Sequence, residues 1–304
     1  MRINILISPL IIYAIYFIYT CTEFFKEENI HVFTFATKST DELKLLQKCV
    51  HNFGGSSLLF SESNSNFYKV IETKGKKAHA FLNFTHSINK YDFYVYVDGF
   101  DVIVQQSLHK LKNEFKLFLN TRGIPKSEGI VVMGEQNCWP WPKKTDSKTR
   151  GVSMQYMKNK TIVLQNKKTI EANNMCAHFE SNNGLWKYLN SGTFMGSGIA
   201  LKKLGQCYEH HMKKGQFEDQ AILGLCQVEN PNIVVDSESE LFLSHYNYNK
   251  NFYSEEACKH SYLDEHNLPP YLLKTRKRPF ILHFNGPSGR YRMKECMKFF
   301  DQVC

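Results

Sequence analysis

An apolar run, Phe93-Tyr94-Val95-Tyr96-Val97, leads straight into Asp98-Gly99-Phe100-Asp101. Two carboxylates three residues apart at the carboxyl end of a strand repel each other unless a cation lies between them, and oxygen donors suit Mg²⁺ or Mn²⁺. Asp and Gly are also ordinary turn residues, so the segment reads equally as a strand-ending turn. Near the C-terminus a second apolar run, Phe280-Ile281-Leu282, ends in His283, which is either a ligand or a satisfied buried histidine. The Gly-rich turn that follows, through Gly286 to Gly289, exposes backbone N–H groups that could cradle a phosphate together with Arg290. A third segment, Tyr188-Leu189-Asn190-Ser191-Gly192-Thr193, places small residues beside an apolar strand, as for close approach to a ligand or for glycine-lined packing. In a fourth, Phe217-Glu218-Asp219-Gln220 opens a helix, where Asp219 could simply be the N-cap.

These residues need elements to hold them. Short β-branched or aromatic runs predict strands over Val32 to Ala36, Phe93 to Val97, Ile130 to Met133, Ile233 to Val235 and Phe280 to His283. Helical spacing predicts Asp41 to Phe53, Lys77 to Ile88, Leu108 to Leu119, Leu201 to Lys213 and Asp219 to Cys226. The alternation argues for an α/β domain with a mixed, mostly parallel sheet flanked by helices. No internal repeat or low-complexity linker occurs. The stretch from Trp141 to Asn174 is polar and Lys-rich and reads as a long loop or insertion.

With 304 residues, 42% of them hydrophobic, the chain can bury a sizeable core. The net charge of +9 is scattered in short basic runs such as Lys143-Lys144 and Arg276-Lys277-Arg278, and no zinc-finger or RNP-type pattern appears, so nucleic acid is not the expected partner. The apolar run Ile3 to Tyr19, closed off by charged residues, reads as a signal peptide or signal anchor over residues 1–22, leaving residues 30–304 as one domain in the secretory pathway. Any contact with a membrane would then run through that segment. Of nine cysteines, Cys21 edges this segment and the other eight allow up to four disulfides. The absence of any C-x-x-C argues against structural zinc. Asn83-Phe84-Thr85 and Asn159-Lys160-Thr161 are glycosylation sequons.

Taken together and in order, the motifs resemble the glycosyltransferase domain of the procollagen lysyl hydroxylase family over about Val32 to Gly289. The residues that carry the resemblance are Ala36-Thr37, Gly75-Lys76-Lys77, Asp98 with Asp101, Cys138-Trp139-Pro140, Leu189 to Gly192, Asp219-Gln220, and His283 with Asn285-Gly286-Pro287. The resemblance implies a GT-A type, Rossmann-like nucleotide-sugar-binding fold working on UDP-galactose or UDP-glucose with Mn²⁺. Asp98, Asp101 and His283 would hold the metal. Thr37, Lys77 and Phe100 would lie near the nucleotide, with Gly286 and Arg290 on the phosphate side. Asn190 and Asp219 would face sugar and acceptor, and Trp139 would sit in a loop over the pocket. The implied acceptor is hydroxylysine, or its galactosyl derivative, on a collagen-like chain in the endoplasmic reticulum or Golgi lumen or outside the cell. There are departures: the acidic run before Gln220 is short, Gly289 stands where the family often has lysine, and the family's iron- and 2-oxoglutarate-dependent domain is not expected. A non-catalytic lumenal protein of the same fold, binding nucleotide-sugar or a collagen-like partner, is the alternative.

Overall fold

The computed structural model describes residues 28–36, 39–61, 75–141, 161–179, 184–245, 278–286, 289, 293–294, 297, 300–301 and 304. Residues 1–22, Thr37, Arg290, Cys258 and Cys296 lie outside the described residues, as does the polar stretch 142–160.

Strand β3 (Phe93–Val97) shows how the sequence builds the layers. Its side chains alternate, so Phe93, Val95 and Val97 enter one apolar core while Tyr94 and Tyr96 enter the other, and all five are buried. Strand β1 (Ile30–Ala36) follows the same rule and pairs parallel with β3 on one side and with β2 (Ser56–Ser61) on the other. On the far side of β3 lies β8 (Tyr188–Ser197), antiparallel, then β5 (Ile130–Glu135) and β9 (Ile233–Asp236), the last two parallel to each other. The six-stranded sheet thus runs β2-β1-β3-β8-β5-β9. One core packs beneath helices α1 (Asp41–Asn52) and α3 (Leu108–Asn120). The other packs beneath α2 (Lys76–Ser87), α5 (Gly198–Lys213) and α6 (Asp219–Glu229). The fold is α/β, with a mixed, mostly parallel sheet flanked by helices.

Helix starts follow local chemistry. Thr40, Ser107 and Ser197 each accept a hydrogen bond from the backbone N–H three residues on, at the first turns of α1, α3 and α5. For α6 the cap is Glu218, which accepts from Ala221 N–H, so Asp219 is the first helical residue and not the cap.

A small second sheet joins β4 (Val102–Val104), β11 (Ile281–His283) and β10 (Phe242–Ser244). Within the polar stretch expected as a loop, β6 (Thr161–Val163) and β7 (Thr169–Glu171) form a hairpin leading into the short helix α4 (Met175–Phe179). Trp141 and Ile162 are buried there, and a Cys138–Cys176 disulfide ties the segment to the body of the domain. Two further disulfides, Cys49–Cys304 and Cys207–Cys226, are present among the described residues. No described helix is long and apolar enough to cross a membrane.

Candidate active site

Three strand ends converge. After β3, Asp98 N–H donates to Gly192 O (2.9 Å), tying the turn to β8. Asp101 then leads into β4, whose antiparallel pairing with β11 sets Val102 opposite His283, and Phe284 N–H donates to Asp101 O (2.7 Å). This double tethering brings two carboxylates and an imidazole from positions 182 or more residues apart into one place. His283 Nε2 lies 3.3 Å from Asp101 Oδ1 and 3.6 Å from Asp98 Oδ2. Asp101 and His283 are buried, whereas Asp98 opens toward solvent.

The protonation of His283 is set by its neighbours. Gly192 N–H donates to Asn190 Oδ1 (2.8 Å), which fixes that atom as the acceptor, and Asn190 Nδ2 donates to Glu135 Oε2 (3.1 Å). His283 Nδ1, 3.1 Å from the same Asn190 oxygen, must therefore be the N–H donor. In the neutral ring the Nε2 lone pair then faces the two carboxylates, and among the described residues the buried Nε2 meets no hydrogen-bond donor. Burial disfavours imidazolium, but Asp101, and then Asp98, outweigh it and hold this histidine's pKa above its ordinary value. What the carboxylates favour at Nε2 is positive charge, which a proton or a divalent cation supplies. A buried nitrogen facing two carboxylates, its ring fixed from behind by an amide, fits a metal ligand set. Gly192 makes the approach possible: a Cβ there would lie 2.0 Å from His283 Cε1.

Beside this triad lies a second polar array. Lys77 Nζ sits 2.7 Å from Asp98 Oδ1 and 2.9 Å from Asp219 Oδ2, and over the Tyr96 ring. Tyr96 Oη donates to Asp98 Oδ1 (2.8 Å), and Ser191 Oγ donates to Asp219 Oδ2 (2.7 Å). Asp98 thus divides its work, one oxygen held by Lys77 and Tyr96, the other facing His283. Burial pulls against charge at Lys77, yet Asp219 and Asp98 raise its pKa well above the usual lysine value. Burial likewise opposes ionisation of Asp219, but Lys77 and Ser191 keep its carboxyl below the usual range. Next to it, burial and the Asp219 charge push Glu218 up to about 8. The Gly75 turn that starts α2 and so carries Lys77 has φ 122°, and a Cβ there would lie 2.9 Å from Phe217 Cβ. Phe35, Phe81, Tyr208 and Phe194 line a small cavity against Lys77 and Asp219.

The structure brings Asp98, Asp101, His283, Lys77, Asn190 and Asp219 together. Asn190 is buried, and its amide is spent on Gly192, Glu135 and His283, so it stands behind the histidine. Phe100 packs against the apolar core beside the turn. Trp139 is exposed, and its carbonyl accepts from Gln220 Nε2 (3.0 Å). Gly286 follows β11 with φ 75°. Thr37 and Arg290 lie outside the described residues.

Glu135 was not expected. At the end of β5 it accepts from Gln220 Nε2 (2.7 Å), Asn190 Nδ2 (3.1 Å) and Asn285 Nδ2 (3.4 Å), gathering side chains from three separate motifs. Burial raises its pKa to about 7 against the pull of these amides. A signal existed: Gly134-Glu135 closes an apolar run just as Asp98 does, three residues before Cys138-Trp139-Pro140.

No protein-family model matches this sequence, and a search of curated proteins finds no relative. Solved structures do show similarity. The apo structure of the WbbM bifunctional glycosyltransferase aligns with 86% of this chain at 12% identity and a TM-score of 0.45. The alignment covers 47% of that protein, so this chain spans about half its length. A glycosyltransferase involved in glycosylation of the major capsid of PBCV-1 aligns with 87% of this chain and 100% of its own, at 10% identity and a TM-score of 0.39. Two of the structural neighbours are therefore glycosyltransferases.

Proposed function

We propose that this chain is a divalent-metal-dependent glycosyltransferase of GT-A type, moving galactose or glucose from a UDP-sugar to a hydroxyl acceptor. The observation that carries the reading is the meeting of Asp98, Asp101 and His283 with a fixed tautomer, beside an ionised Asp219 held by Lys77. Mixed oxygen and nitrogen donors suit Mn²⁺. A cation held by these three residues would act as a Lewis acid toward the leaving diphosphate. Lys77 adds positive charge on the same side, where a diphosphate would compete for it with Asp98 and Asp219. Asp219, kept ionised and oriented by Ser191, accepts a hydrogen bond from the acceptor hydroxyl and fixes its approach. The motif resemblance points to hydroxylysine or galactosyl-hydroxylysine as acceptor, and three disulfides suit an oxidising compartment.

The test is UDP release from UDP-galactose and UDP-glucose by the purified protein, with and without Mn²⁺ and hydroxylysine peptides. Release should require the metal and fall by about 10³-fold in Asp101→Ala, the size expected for losing several kcal/mol of charge stabilisation. Mn²⁺-dependent UDP binding without turnover would select a nucleotide-sugar-binding protein instead. Folded protein showing neither would overturn the assignment.

A further inference from the structure

On the α5–α6 pair, the donor atoms of Cys207, His211 and Cys226 cluster, and Glu229 reaches two of them. Cys207 and His211 lie one turn apart on α5, and Cys226 and Glu229 one turn apart on α6. The sulfurs form a disulfide, and the Cys207, His211 and Cys226 donor atoms all lie within 4.8 Å of one another. Glu229 Oε1 accepts from Gln165 N–H (2.6 Å), which aims Oε2 inward, 3.4 Å from Cys207 Sγ and 3.4 Å from His211 Nε2. A disulfide sulfur has no hydrogen to give, so the bond this carboxylate oxygen makes is with His211, while the Cys207 sulfur beside it offers none. These two of the six ligand–ligand separations fall in the range of a tetrahedral site around a cation at zinc–ligand distances, about 3.3–3.8 Å. His211 is fully buried, whereas Cys207 is half-buried.

We propose that Cys207, Cys226, His211 and Glu229 form a redox-controlled site for a zinc-class divalent cation, closed as a disulfide and opened by a dithiol. In the opening step two electrons pass from the dithiol to the Cys207–Cys226 bond. The dithiol becomes a cyclic disulfide, and its two protons end on Cys207 and Cys226. The cation then binds both sulfurs as thiolates and releases those protons to solvent. The absence of a C-x-x-C hid the site, because its ligands are paired across two helices.

Cobalt(II) tests this through its thiolate charge-transfer band. The full chain is reduced with dithiothreitol, freed of reductant without air, and titrated. Reduced protein should take up Co²⁺ with the band, and oxidised protein should show none. Cys207→Ser/Cys226→Ser should lose the band, Cys138→Ser/Cys176→Ser should keep it, and Glu229→Gln should weaken binding about tenfold or more. Absence of the band in reduced protein, its survival without Cys207 and Cys226, or unchanged affinity in Glu229→Gln would overturn the proposal. So would loss of helical circular dichroism on reduction.

Discussion

Two buried carboxylates sit at the ends of neighbouring parallel strands, Glu135 on β5 and Asp236 on β9, and they do different work. Asp236 accepts from three backbone N–H groups, those of Glu240, Leu241 and Phe242, between 2.7 and 2.8 Å. Its partners lie four to six residues on, so it brackets its own loop. Glu135 accepts from three side-chain amides 55, 85 and 150 residues away, one of which fixes the tautomer of His283. Burial raises both, Asp236 to about 6 and Glu135 to about 7. Equal burial therefore says little about role; the origin of the donors does. Backbone donors make a carboxylate a structural bracket, and side-chain donors from several motifs make it the support of a site.

The sharpest way to break this contrast is Asp236→Ala. It strands three N–H groups, two of them buried, and should cost about 3–4 kcal/mol in urea unfolding, while Mn²⁺ affinity stays unchanged. A fall in Mn²⁺ affinity matching that of Glu135 variants would erase the distinction.

Next in size is pH. Glu135 titrates near 4.5 when unfolded and about 7 when folded, so its proton favours the fold. Its contribution is complete below pH 4.5 and is lost as pH rises through about 7, a displacement worth about 3 kcal/mol. Asp236 behaves alike between 3.8 and about 6. Glu135→Leu should flatten the upper part of the stability curve measured without added metal, and Asp236→Asn the lower part.

Glu135→Gln comes third. All the amides around Glu135 donate, so a glutamine NH₂ meets a donor head-on, and Asn190 loses its anchor behind His283. Mn²⁺ affinity by calorimetry should fall 10–100-fold, the size seen when the partner of a metal-ligating histidine is lost. The smallest effect is that of Gly192→Ala, whose methyl group must displace the His283 ring, at about 1–2 kcal/mol of stability with a measurable weakening of Mn²⁺ binding.

Much of the frame was legible in the sequence. Apolar runs marked β1, β3, β5, β9 and β11, and helical spacing marked α1, α2, α3, α5 and α6 to within a few residues. Strand β8 was the main omission: Asn190, Ser191, Gly192 and Gly196 are poor strand formers, yet a ten-residue strand runs through the middle of the sheet. Cross-strand pairing on both sides overrides their propensity. Opposite β5 the register shifts between Val132, facing Phe194, and Met133, facing Asn190, and within the skipped segment Ser191 reaches Asp219 and Gly192 abuts His283.

Local patterns along the chain mark which residues could act: the strand-ending Asp98 and Asp101, the strand-ending His283, and the helix-opening Asp219. Local runs of side chains create these, since a buried strand must end where polar residues begin. Tertiary structure alone decided that Lys77 bridges Asp98 and Asp219, that Asn190 stands behind His283, and that Glu135 gathers three motifs. Those contacts join residues 21 to 150 positions apart, and their geometry follows from strand order and register, which pairwise spacing does not encode.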